Sequence, residues 1–251
     1  MPIAAVLTDL DGTLLQADGS LSAEARRALA TLRQRGIPVA PLTSKTEPEL
    51  RVWMDRLGAG GHGAFENGAG CLGPEGAEVL PAAIPAPRLA TLLAEMTERA
   101  GVKVRTLGEL SDAELGELTG LPPDEIGPVK ARAFSLPFVA DEKTGQRLMA
   151  EVSTRPGLRL VRGGRFWHLS GDHDKADAAG RILARLGRPG LVIGLGDAPN
   201  DAGFLRLCHV AVVVPRPEGV DAALAARLPG CRVARVPGGR GWAEEVISLL
   251  A

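Results

Sequence analysis

The chain has 251 residues, 45% hydrophobic and 24% charged, enough for a sizeable core and too apolar for a disordered segment. A net charge of −1, with five phenylalanines, three tryptophans and no tyrosine, argues against a nucleic-acid surface. No apolar run approaches the ~18 residues of a membrane span, and the first residues lack a basic-then-apolar leader, so a cytoplasmic protein with no membrane partner is expected. Cys71, Cys208 and Cys231 are scattered and form no CxxC pair, so neither a disulfide framework nor zinc is expected.

The apolar run Ile3–Thr8 reads as a buried parallel-type strand feeding the loop Asp9-Leu10-Asp11-Gly12-Thr13. An amphipathic helix follows from Ser22 to about Arg35, with Gly36 as its stop. A second strand, Ile37–Leu42, ends at Thr43-Ser44-Lys45, and a second helix covers Thr46–Leu57. A glycine-rich loop then leads to Ala64-Phe65-Glu66-Asn67-Gly68. From the proline-rich Pro81–Pro87 onward the pattern changes. Helices are expected near Leu89–Ala100 and Asp141–Val152, and strands near Ala131–Phe138, Leu158–Val161 and Phe166–Leu169. The first rhythm returns with helix Asp174–Leu186, strand Leu191–Leu195, strand Val210–Val214 and helix Ala243–Leu250. The pattern predicts an α/β fold, with a Rossmann-like parallel-sheet core from residues 1–82 and 171–251 and an inserted α/β cap domain over 83–170.

Two loops carry chemistry. Asp9 and Asp11 sit two apart where a strand runs out, and carboxylates there are costly unless a proton or cation holds them. Hard oxygen ligands suit Mg²⁺; a plain Asp-Gly turn is the alternative. The second loop, Gly194-Leu195-Gly196-Asp197-Ala198-Pro199-Asn200-Asp201, superficially suggests a dinucleotide GxGxxG. Pro199 stands at the third glycine position and a carboxylate stands where pyrophosphate would lie, which argues against it. In a parallel sheet both loops open at the same edge, so their four carboxylates can converge.

This chain resembles the haloacid dehalogenase-type phosphohydrolases, a superfamily opened by DxDGT and closed by GDxxND. Between those motifs the superfamily carries a Ser/Thr at the second core strand end and a Lys before the last cluster; Thr43 and Lys175 match in order. Lysines are only five of the 29 basic residues, which makes Lys175 more informative. The resemblance implies that Asp9 attacks phosphorus and that Asp11 serves as acid and then base. It implies that Thr43 binds a phosphoryl oxygen and that Lys175 neutralises charge. Mg²⁺ would be held by Asp9, the Asp11 carbonyl and Asp197, with Asp201 ligating through water or orienting Lys175.

Several segments resemble a narrower subfamily, the mannosyl-3-phosphoglycerate phosphatases: Thr43–Thr46, Glu66–Gly68, Ala133–Phe138, Gly164–His168 and Gly194–Asp201. Leu136 stands where that subfamily carries an acidic residue. The resemblance implies 2-O-mannosyl-3-phosphoglycerate as substrate, dephosphorylated to the compatible solute mannosylglycerate. Substrate-binding candidates are Ser44, Lys45, Glu66, Asn67, Arg132, Ser135, Arg165, His168 and Asn200. Arg132 and Arg165 suit a glycerate carboxylate because a guanidinium binds it bidentately. Each candidate has a plainer reading: a helix start for Ser44 and Lys45, a turn for Glu66-Asn67, surface charge for the arginines, a structural role for His168. Trp167 is expected in the core of the insert, and Asp172-His173-Asp174 as a solvated loop. The rivals in function are a phosphatase or mutase for another sugar phosphate, and a phospho-accepting regulatory domain. A regulator needs neither the insert nor the second acid Asp11.

Overall fold

The computed structural model describes residues 1–16, 18–58, 61–162, 166–187 and 189–251. The first half runs β1 (Ile3–Thr8), α1 (Ala23–Gln34), β2 (Val39–Pro41), α2 (Glu47–Leu57), β3 (Gly63–Phe65), β4 (Gly70–Gly73), β5 (Gly76–Val79), α3 (Ala86–Ala100), β6 (Arg105–Thr106), α4 (Asp112–Thr119) and α5 (Pro123–Lys130). The second half runs β7 (Ser135–Val139), α6 (Glu142–Ser153), β8 (Leu158–Arg162), β9 (Trp167–Gly171), α7 (Lys175–Leu186), β10 (Leu191–Gly196), α8 (Ala202–Arg206), β11 (Val210–Val213), α9 (Ala222–Arg227), β12 (Arg232–Val233) and α10 (Gly238–Leu250).

The chain divides into two compact units. The first comprises Met1–Ser44, Leu50–Glu78 and Asp174–Ala251, and the second Lys45–Glu49 and Val79–His173. The sequence reading sets the corresponding edges at 82/83 and 170/171 and leaves 45–49 with the core.

The first unit holds a parallel five-stranded sheet in the order β12-β11-β10-β1-β2. The central strands β1 and β10 are apolar but for Thr8 at the end of β1, as expected where both faces of a parallel sheet are covered. Helices α1 and α10 present Ala25, Ala28, Leu29, Leu32, Trp242 and Val246 to one core with Val6, Ile193, Leu195 and Val212. The Ser22 hydroxyl accepts from the Ala25 amide and starts α1 where the sequence predicts it. Beside this sheet β3, β4 and β5 form a small one, joined to the end of β2 by a parallel bridge from Leu42 to Ala64.

The second unit is an antiparallel sheet in the order β6-β7-β9-β8. Register alternates its side chains. Phe138, Trp167 and Leu169 pack with Leu89, Met96 and Leu148 of α3 and α6, which puts Trp167 in the core. Ser135, Pro137, His168 and Ser170 belong to the opposite face.

The structure corrects four expectations. Helices α4 and α5 were missed; each has eight residues, too few for a strong period, although the Ser111–Glu114 capping box announces α4. They occupy residues just before the predicted strand at Ala131, which instead begins at Ser135. Helix α10 begins at Gly238, five residues before the predicted start, across glycines of low helix propensity. Tertiary packing demands them: a Cβ on Gly239 would lie 2.4 Å from the Leu14 carbonyl oxygen. Lastly, Asp172-His173-Asp174 is not a solvated loop throughout: Asp172 pairs with Arg159 at 3.0 Å, His173 is buried, and Asp174 caps α7.

Trp242 is fully buried and its indole N–H donates to Thr8 Oγ1 at 2.9 Å. Trp242→Ala is expected to cost about 3–5 kcal/mol in urea unfolding. Trp242→Phe, which keeps most of the packing and loses the hydrogen bond, is expected to cost about half that or less.

Candidate active site

Four neighbouring strands of the first unit run out at one edge, and each delivers a polar side chain there. Asp9 follows β1, Thr43 follows β2, Asp197 follows β10 and Arg216 follows β11. The Asp9 amide donates to the Leu195 carbonyl, so the β1 and β10 ends are locked in register. Lys175, the first residue of α7, enters from the side. Asp174 fixes that helix start by accepting from the Ala176 and Asp177 amides.

Lys175 is buried and its Nζ donates to Asp9 Oδ1 at 2.5 Å and Asp201 Oδ1 at 2.7 Å. The other oxygen of Asp201 accepts from the Asp197 and Ala198 amides, each at 3.0 Å. Asp197 accepts from Thr13 Oγ1 at 2.8 Å on one oxygen and from Arg216 Nε at 2.7 Å on the other. Gly12, at φ +84°, lies against that carboxylate, and a Cβ there would stand 2.6 Å from Asp197 Oδ2. A side chain at position 12 is excluded twice, by backbone conformation and by contact.

Asp9, Asp197 and Asp201 each offer a carboxylate oxygen within 4.8 Å of the others. Burial, with repulsion from the neighbouring carboxylates, raises Asp9 well above the ordinary carboxylate range despite Lys175. Burial and Asp201 likewise raise Asp197, against the hydrogen bonds from Arg216 and Thr13. Burial alone would depress Lys175, but Asp201 and Asp9 together hold it above its ordinary value. Three buried carboxylates thus meet two cations. Their all-oxygen donor set, with charge to spare, fits a hard divalent cation.

Asp11 is exposed, two residues beyond Asp9. Thr43 is buried, and its carbonyl accepts from the Asn67 amide. Glu66 and Asn67 both adopt positive φ, 44° and 57°, directly after β3; strain of this kind concentrates at functional positions. Asn67 Oδ1 accepts from Asn200 Nδ2 at 3.0 Å, so the ends of β2, β3 and β10 are linked. Ser44 closes the first unit's opening segment and is half-buried.

The remaining candidates belong to the second unit. Lys45 faces Glu49 at 4.0 Å. Arg132 donates to Ser135 Oγ at 3.1 Å. His168 is pushed down to about 4 by burial and by Arg132 and Arg162. Arg165 lies outside the described residues. Sequence reasoning missed Thr13 and Arg216 as site residues. Thr13 is the last residue of DxDGT, a usable signal, whereas Arg216 is one arginine among many. Two of the thiols are poor nucleophiles: burial pushes Cys71 up to about 11 and Cys208 up to about 12.

A family model described as haloacid dehalogenase-like hydrolase matches residues 6–104. A protein of Persephonella marina named glucosyl-3-phosphoglycerate/mannosyl-3-phosphoglycerate phosphatase is 29% identical over 98% of this chain and 96% of its own length. A protein of Methanococcoides burtonii with the same name is 29% identical over 85% of each. Among solved structures, a haloacid dehalogenase-like hydrolase from Bacteroides thetaiotaomicron superposes with a TM-score of 0.75 at 16% identity, over 99% of this chain and 100% of that one. Fold and relatives together define a phosphoric monoester hydrolase. The family model and the relatives make the chain similar to the haloacid dehalogenase-like hydrolases.

Removing the central cation tests the electrostatics. Lys175→Met leaves Asp9 and Asp201 facing each other in a buried site and is expected to cost about 3–5 kcal/mol in urea unfolding at pH 7.5. His168 gives a second check. Its folded pKa lies below the unfolded value, so its contribution to stability is complete above about pH 6.5 and fades as pH falls towards about 4. Urea unfolding at pH 7.5, 6, 5 and 4 is expected to show a shallower decline for His168→Asn than for the wild type.

Proposed function

We propose that this enzyme hydrolyses 2-O-mannosyl-3-phosphoglycerate to mannosylglycerate and phosphate through an aspartyl phosphate on Asp9. The observation that carries the chemistry is a buried Asp9 held by Lys175, with the exposed acid Asp11 two residues away. Lys175 engages Oδ1, which leaves Oδ2 of Asp9 to attack phosphorus. As the P–O bond to the glycerate breaks, Asp11 gives its proton to the leaving oxygen. Water then attacks the phosphorus of the aspartyl phosphate and loses a proton to Asp11, releasing phosphate and restoring Asp9. Thr43, at the neighbouring strand end, hydrogen-bonds a phosphoryl oxygen, and Lys175 offsets its charge.

Mg²⁺ suits the donor set, with Asp9 and Asp197 as its carboxylates, and when bound it would offset the charge of the phosphoryl oxygens. Asp201 accepts from Lys175 on one oxygen and from two amides on the other, which supports a role in orienting Lys175. The relatives' names support the phosphoglycerate glycosides as substrates, and their double name brings in the glucosyl glycoside beside the mannosyl one. In this reading residues 83–170 form the cap that recognises the rest of the substrate. Arg132 and Ser135, already hydrogen-bonded, and His168, kept neutral, are its contact residues.

A phosphate-release panel spanning mannosyl- and glucosyl-3-phosphoglycerate, hexose phosphates and an aryl phosphate tests the assignment. The glycosides are expected to give the highest kcat/KM; a hexose phosphate in first place would overturn it. Excess chelator is expected to abolish release and added Mg²⁺ to restore it. Asp9→Asn is expected to reduce turnover to background with an unchanged circular dichroism spectrum.

A further inference from the structure

One cation of the site has no part in the mechanism above. Arg216 follows β11 in Pro215-Arg216-Pro217, where flanking prolines restrict the backbone on both sides. Its amide and carbonyl exchange hydrogen bonds with those of Gly219, each 2.9 Å, which closes a tight turn. The Val214 amide donates to the Gly196 carbonyl and ties this segment to the end of β10. The arginine is therefore presented by a constrained loop.

Its side chain has two different halves. Nε donates to Asp197 Oδ2 at 2.7 Å, on a carboxylate that is 2% exposed. The terminal amino groups make no hydrogen bond with the described residues, and the side chain is 39% exposed. Lys175, by contrast, is 1% exposed and held between two carboxylates. Lys175 is thus enclosed within the cluster, whereas Arg216 is anchored at one nitrogen and open at the other two. A guanidinium held this way keeps the planar fork that matches an oxyanion bidentately, and its orientation is set before the anion arrives.

We propose that Arg216 binds an oxyanion of the substrate through its terminal amino groups while Nε remains on Asp197. The inference rests on the reading of this site as a phosphomonoesterase, and it leaves open one matter of source. The oxyanion is either the phosphoryl group being transferred or a carboxylate elsewhere on the same substrate.

The test compares the wild type, Arg216→Lys and Arg216→Gln with mannosyl-3-phosphoglycerate and with an aryl phosphate that has no carboxylate, at saturating Mg²⁺. Inorganic phosphate binding to the metal-free proteins is titrated in parallel by calorimetry. Both variants alter a half-buried loop side chain, and matching thermal melts exclude misfolding. A contact with the phosphoryl group lowers kcat/KM about ten- to hundredfold for both substrates and weakens inorganic phosphate binding. A contact with the carboxylate lowers it only for the glycoside and leaves phosphate binding unchanged. Either result supports the proposal. Unchanged kcat/KM for both substrates would overturn it, as would a loss that disappears when Mg²⁺ is raised further, since Arg216 would then act only on Asp197. Should the wild type prefer another phosphomonoester, the substrate reading fails while the aryl phosphate and binding arms still decide on Arg216.

Discussion

The site is organised around one buried ammonium. Lys175 is buried away from solvent, so its charge is tolerable only because Asp9 and Asp201 both accept from it. The dependence is mutual, since either carboxylate without Lys175 would be a buried anion beside other anions. Because the three residues come from the end of β1, the start of α7 and the turn after β10, that need ties together elements distant in the chain. The capping of α7 by Asp174 is part of the same arrangement, as it sets where Lys175 enters.

Negative charge in surplus is the site's second property. Burial first, and this surplus after it, raises Asp9 and Asp197 above their ordinary range, and such a centre attracts cations of either kind, metal or guanidinium. Asp201 also settles the question raised by the glycine-rich spelling of this loop. The Asp197 and Ala198 amides, which a dinucleotide fold would turn towards pyrophosphate, here donate to the Asp201 side chain. The loop displays carboxylates instead of bare amides and so suits a cation.

The second unit follows a different logic. Its antiparallel sheet buries Phe138, Trp167 and Leu169 under α3 and α6, while Ser135 and His168 take the opposite face by alternation alone. Burial and the arginines around it keep His168 neutral through the physiological range. A polar face built from strands can change its side chains without disturbing the core beneath.

The amino-acid sequence by itself determined the strands leading to Asp9, Thr43 and Asp197, the helix expected over Asp174–Leu186, and the family resemblance. Apolar runs, caps and short motifs are local signals, and each of these features is local. Parallel pairing then made the convergence of the two acidic loops deducible. Only the tertiary structure decided that Arg216 and Thr13 divide the oxygens of Asp197, that Trp242 reaches Thr8 from the far end of the chain, and that Asn200 meets Asn67. Those contacts join residues separated by long stretches of chain, and no period or spacing encodes which arginine among many will meet which carboxylate. The start of α10 was decided the same way, since its glycines argue against a helix locally and are required by the backbone packed against them.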